Sequence, residues 1–187
     1  MLTAALLLVG YNLYDDHQAE VATSHVLEAL QHEMPTPVLQ EPEPSEPPDY
    51  VINPDMEMPT IEIENNDYIG VLEIPSLELT LPVMSEWSYA GLKIAPCRYS
   101  GSVYTGSMAI AGHNYRSCFG PIGNLSAGAQ VIFTDSKGRS FLYEVAATET
   151  IKATAVEEIL HTEWDLTLFT CTIGGQARVA VRCGKVQ

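Results

Sequence analysis

No lysine or arginine occurs before Lys93, although the first 80 residues hold 16 of the chain's 24 Asp and Glu. The net charge of -15 therefore belongs to an N-terminal extension, and the remaining residues are close to neutral. Without a basic stripe there is no electrostatic grip on phosphate backbones, which excludes nucleic acid as a partner. Long apolar runs are also missing. The longest, from Leu2 to about Tyr14, falls short of the ~20 residues a membrane-spanning helix needs. It has neither the basic flank nor the small-residue cleavage site of a signal peptide. Residues 1–14 are expected to be the end of a truncated membrane anchor, with the acidic, lysine-free stretch after it on the outer side. The competing expectation is a short apolar helix buried on the globule.

Closely spaced cysteine pairs are absent as well. The four cysteines, Cys97, Cys118, Cys171 and Cys183, include no Cys-x-x-Cys, and no His/Cys group has zinc-site spacing, so neither a metal nor any other cofactor is expected. Outside the membrane Cys97 and Cys118 could form a disulfide; free, part-buried thiols fit the spacing equally well. No internal repeat period occurs. With 187 residues, 46% hydrophobic and 18% charged, the chain can bury one ordinary core plus some additional segments, which excludes two large domains and a wholly disordered protein.

Residues 15–33 carry Ala19, Ala22, Val26, Ala29 and Leu30 at helical spacing behind Asp15 and Asp16, which predicts a juxtamembrane helix. Residues 34–60 hold eight of the 12 prolines among acidic side chains and read as an extended linker, so that 61–187 should fold and work without residues 1–60. In that globule, short runs rich in β-branched and aromatic residues occur at 69–75, 77–83, 107–112, 129–134, 141–146, 165–171 and 178–183. Asp135-Ser-Lys-Gly138 forms a hairpin turn between two of them, and brief helices are expected around 86–95 and 154–161. The pattern predicts a mostly β fold, an antiparallel barrel or sandwich.

Cys171 ends an apolar run and precedes the turn Thr172-Ile-Gly-Gly175, which places its thiol at a strand end where a substrate can reach it. His113 ends another run, in Ala111-Gly-His-Asn114, and Arg178 opens the strand after the Cys171 turn. A hairpin closed by 172–177 sets Arg178 opposite Cys171, with Cβ atoms about 4.5–5.5 Å apart. The same register sets Arg182 opposite Thr167, roughly 13 Å further along on the same face, where it is a candidate substrate-binding residue. A thiol with a histidine and a guanidinium beside it has the groups that nucleophilic acyl transfer requires.

Thr167-Leu-Phe-Thr-Cys171 resembles the Thr-Leu-x-Thr-Cys signature of sortases, the cysteine transpeptidases of Gram-positive cell surfaces. Ile74-Pro75 and Leu81-Pro-Val83 resemble that family's first strands, Gly112-His113 its histidine site, and Ala177-Arg178-Val179 its arginine strand. The resemblance covers about residues 66–186. It implies an eight-stranded β-barrel with Cys171 as nucleophile, His113 as acid/base and Arg178 on the carbonyl or oxyanion. Thr170 would shape the groove. The implied partners are surface proteins bearing a Leu-Pro-x-Thr-Gly-like C-terminal sorting signal, and an amine from a cell-wall precursor or a pilin lysine. The implied location is the outer face of the cell membrane.

Two departures bear on the subclass. The loop between Cys171 and Arg178 has only six residues, and Asn53-Pro54-Asp55 lacks the aromatic residue of the Asp-Pro-aromatic lid found in pilin-polymerising members. Protein anchoring is thus favoured over pilus assembly. A thiol hydrolase without an amine acceptor uses the same residues. The non-enzyme alternative is a stalked surface β-domain that binds wall or host ligands and merely buries Cys171.

Overall fold

Alternation of large and small side chains organises the strands. In β5 (Met108–Ala111) the sequence Met-Ala-Ile-Ala turns Met108 and Ile110 to one face and Ala109 and Ala111 to the other; β8 (Leu166–Cys171) turns Leu166 and Leu168 inward and Phe169 outward. In β9 (Ala177–Lys185), Val181 and Cys183 enter the interior while Ala180 stays on the outer face. The computed structural model describes residues 2–35, 47–155, 157–160 and 163–186.

The remaining strands are β1 (Ile61–Ile63), β2 (Asn66–Ile74), β3 (Leu79–Met84), β4 (Cys97–Ser100), β6 (Gln130–Asp135) and β7 (Ser140–Lys152). They pair in the order β1-β2-β3-β4-β5-β8-β9-β7-β6, and β6 pairs back onto β2. That last ladder closes β2 to β9 into an eight-stranded barrel with β1 as an added hairpin strand, which leaves no open edge in the barrel itself. Closure brings the β2 and β6 backbones together at Gly70. A Cβ there would lie 2.1 Å from the Thr134 carbonyl oxygen, so only glycine fits.

The β6–β7 hairpin turns at 135–138 as the sequence predicts, with Gly138 at φ 78° and the Asp135 carboxylate accepting from the Lys137 and Arg139 amides at 2.9 and 3.0 Å. The β8–β9 register is also the predicted one, Cys171 opposite Arg178 and Thr167 opposite Arg182. Other elements differ. β7 runs on to Lys152, beyond the apolar run, because its polar second half is paired along its length with β9. The helices expected near 90 and 157 shrink to single turns, Gly91–Lys93 and α3 (Glu157–Leu160). The sheet also contains two parallel pairs, β3–β4 and β5–β8.

The N-terminal region departs most from expectation. α1 (Leu2–Glu33) is one helix of 32 residues rather than two segments, and its second half packs on the barrel. Val26 and Leu30 are buried with Tyr68, Val71, Met84 and Ala95, and the Thr23 hydroxyl donates to the Ile94 carbonyl at 2.7 Å. Among the described residues no helix is long and apolar enough to cross a membrane. Residues 36–46 of the linker lie outside the described residues, but 47–60 are part of the globule. Tyr50, in the single turn α2 (Asp49–Ile52), stacks on Tyr104 with ring centroids 5.0 Å apart, under the Arg139 guanidinium. Met58 enters the main core, and Ser136 donates to the Pro59 carbonyl at 2.6 Å.

A barrel stripped of residues 1–60 therefore loses apolar cover from one outer face and loses the Tyr50 and Met58 contacts. Leu30→Ala empties a fully buried leucine site and should destabilise the full chain by about 2–5 kcal/mol in urea denaturation. A loss below about 1 kcal/mol would show that α1 does not pack on the barrel in solution.

Candidate active site

The small outward residues of β5 and β9 leave a hollow on the outside of the barrel. A groove of about 260 Å³ occupies it, with Ala111, Gly112 and Phe169 on the floor and Thr170, Cys171 and Arg178 at one end. One wall is aromatic. Trp87 and Tyr89 meet edge to face with centroids 4.8 Å apart, Trp87 meets Tyr99 at 5.8 Å, and Tyr99 meets Phe169 at 5.3 Å. Leu92 completes that side, and Ala153 and Ile159, from the β7–β8 connection, form the opposite one. None of these wall residues was singled out from the sequence. The available signal was the Trp87-Ser-Tyr89 pair, two large aromatics in an otherwise polar connection.

Cys171 is the last residue of β8 and is exposed, whereas Cys97, Cys118 and Cys183 are buried; all four thiols are free, so Cys97 and Cys118 are not joined. Burial pushes the Cys97 thiol up to about 11 and those of Cys118 and Cys183 up to about 12. Burial thus disfavours the thiolate at these three positions. Cys118, the cysteine nearest His113 in sequence, is buried, whereas Cys171 is open to solvent.

His113 follows β5 after one residue, Gly112. The Gly112 amide donates to the Phe169 carbonyl at 3.0 Å and extends the parallel β5–β8 ladder, whose register pairs Ala111 with Phe169. Two residues further along each strand are His113 and Cys171, which brings them to the same rim on adjacent strands. The imidazole stacks on Tyr115, with centroids 3.8 Å apart and planes 10° from parallel. Gly112 is required by packing, since a Cβ would lie 2.3 Å from the Phe119 ring. Phe119 in turn donates its amide to the His113 carbonyl at 3.0 Å.

Arg178 faces Cys171 across the β8–β9 ladder and is half-buried. Its Nη1 donates to the Gly175 and Ala177 carbonyls at 3.2 and 3.1 Å, which ties the guanidinium to the short loop after the thiol. Thr170 is buried beneath Cys171, and its hydroxyl has no hydrogen-bond partner among the described residues.

Arg182 stands apart from these residues. It is not part of the groove lining, and its guanidinium is spent inside the protein, donating to Glu149 Oε1 at 2.6 Å, Thr167 Oγ1 at 3.2 Å and the Glu158 carbonyl at 2.7 Å. Residues 53–55 do not line the groove either, so no described residue of 47–60 covers Cys171. Among the described residues no cluster of three or more His, Cys, Asp or Glu could hold a metal.

The sortase domain family profile matches residues 72–186, more than half of the chain. Sortase A of Bacillus anthracis is 27% identical over 177 residues, covering 88% of this chain and 80% of that protein. Among solved structures, sortase A from Corynebacterium diphtheriae aligns with a TM-score of 0.60 at 22% identity, over 99% of this chain and 94% of that one. Sortase C1 from Streptococcus agalactiae aligns with a TM-score of 0.58 at 23% identity, over 67% and 71%.

At pH 8, iodoacetamide should alkylate Cys171 alone in the native protein, with the other three thiols reacting only after denaturation. Because burial raises those three above the ordinary thiol value of about 8.5, the unfolded chain releases their protons first as pH rises, so stability should fall between pH 8 and pH 10.5. Peptide mapping of the alkylated protein and urea midpoints at the two pH values check both statements. Native-state labelling of Cys118 would overturn the assignment of the accessible thiol.

Proposed function

The chain belongs to the sortase family, whose members are transpeptidases of the cell surface, and from that premise we propose that it cleaves a Leu-Pro-x-Thr-Gly-like sorting signal through a thioacyl intermediate on Cys171. The observation that carries the reading is a single exposed thiol at the end of an apolar groove, facing Arg178 and level with His113. In this reading the Cys171 thiolate attacks the carbonyl carbon of the Thr–Gly bond. Negative charge moves to the carbonyl oxygen, where the Arg178 guanidinium stabilises it. Collapse breaks the C–N bond as protonated His113 gives its proton to the departing glycine amine. An incoming amine then attacks the thioester, His113 takes a proton from it, and the Cys171 thiolate leaves.

The apolar walls take up the leucine and proline of the signal, and the open groove mouth admits the amine. The amine comes from a cell-wall precursor, which makes protein anchoring the favoured activity. The absence of any described 47–60 residue over Cys171 supports that choice over pilus polymerisation. With no amine present, water resolves the thioester and the enzyme acts as a thiol hydrolase. The place of work is the outer surface of the cell membrane.

Mass spectrometry of the protein incubated with a Leu-Pro-Ala-Thr-Gly peptide should find the acyl adduct on Cys171 and none in Cys171→Ala. Arg178→Ala should slow single-turnover thioacyl formation by about 10²–10³, the usual cost of removing a donor aimed at an oxyanion. Arg178→Lys should rescue poorly, because a point charge does not reproduce the planar fork. An Arg178→Ala rate within threefold of the parent would refute the role given to that residue.

A further inference from the structure

The connection from β7 to β8 spans residues 153–165 and contains one helical turn, α3. A single turn does not hold itself together in water, so its place must be fixed by contacts with the rest of the protein. Two contacts among the described residues contribute to this. Ile159 is buried on the outer face of the barrel with Ala109, Ala111, Ile151, Phe169 and Ala180, and it lines the groove. The carbonyl of the preceding Glu158 belongs to the last turn, and the Arg182 guanidinium donates to it at 2.7 Å.

Arg182 itself is 4% exposed and cannot turn away. Its Nε is fixed on Glu149 Oε1 in β7 at 2.6 Å and its Nη1 on the buried Thr167 hydroxyl in β8 at 3.2 Å, leaving Nη2 aimed at α3. The planar fork thus ties the two strands that flank β9 and the α3 backbone together, a geometry that a lysine cannot copy.

We infer that Arg182 is a positioning residue that sets substrate affinity by holding α3, and with it Ile159, against the groove. The inference rests on the groove being the peptide site proposed above. Arg182 touches no substrate and acts on none of the reacting atoms. Its loss is expected to appear in KM, whereas loss of Arg178 appears in kcat.

The test uses the full chain carrying Cys171→Ala and a fluorescein-labelled Leu-Pro-Ala-Thr-Gly peptide, with affinity read by anisotropy and amide exchange read at residues 157–160. Arg182→Lys should accelerate exchange there by about tenfold or more and weaken peptide binding by about tenfold, in line with the loss of a charge-assisted hydrogen bond. Ile159→Ala should weaken binding similarly, and the two changes together should cost little more than either alone, since both act on the same wall. In the active protein, Arg182→Lys should raise KM by about tenfold with kcat within about twofold. If Arg182→Lys does not fold, Glu149→Gln, which alters the half-exposed partner, should give the same effects in weaker form. Unchanged exchange at 157–160, faster exchange with unchanged affinity, or additive losses in the double variant would overturn the inference. A peptide that the Cys171→Ala parent does not bind would instead overturn the sorting-signal reading, and the exchange data would still decide whether Arg182 holds α3.

Discussion

In β5 and β9 the larger apolar side chains point inward and small ones, Ala109, Ala111 and Ala180, point outward, so the same alternation that fills the barrel hollows its outer face. The period of two along a strand makes the two outcomes inseparable, because a slip of one residue would send Met108, Ile110 and Leu168 into solvent and the alanines into the core. Register is thereby fixed by the hydrophobic effect over the whole barrel. The geometry of the candidate site inherits that precision. Cys171 faces Arg178, and His113 shares their rim, because the ladders that carry them are locked by buried residues further along the same strands.

Arg178 and Arg182 show how burial assigns different work to one residue type on one strand face. Arg178 opens β9 at the rim, where its guanidinium reaches only loop carbonyls and keeps an outlook on the groove. Arg182, four residues further in, is buried, and a buried guanidinium has to be met by acceptors. Glu149, Thr167 and the Glu158 carbonyl meet it, and the charge becomes a fastening instead of a binding group.

Seven of the eight barrel strands, all but β4, were legible in the sequence, as were the 135–138 hairpin turn and the pairing of Cys171 with Arg178, because each depends on local pattern: alternation, turn chemistry and loop length. What could not be read depends on contacts between distant segments. Val26 and Leu30 give the same helical spacing whether α1 lies on a barrel or apart from it, and nothing local reveals that Tyr68, Val71 and Met84 wait for it. Proline and acid content predict an extended linker over 34–60, yet Tyr50 and Met58 are enough to dock its last residues. The partners of Arg182 were hidden for the same reason, since its acceptors come from 33, 15 and 24 positions away.

The groove is bordered by three connections, and each is tied to a rigid element by a polar bond backed by a buried apolar residue. The connection carrying Trp87, Tyr89 and Leu92 is held where Thr23 of α1 donates to the Ile94 carbonyl, beside the buried Ala95. The one carrying His113 is held where Ser117 donates to Asp16 of α1 at 3.0 Å, next to the buried Phe119. The third carries Ile159 and is held by Arg182. Two of the three fastenings thus run to the N-terminal helix, no described residue of which lines the groove. Side chains on irregular backbone acquire defined positions only through such ties, because their own hydrogen bonds are too few to fix them. The acidic N-terminal region, which composition alone marks as an appendage, is by this argument part of the frame on which the groove depends.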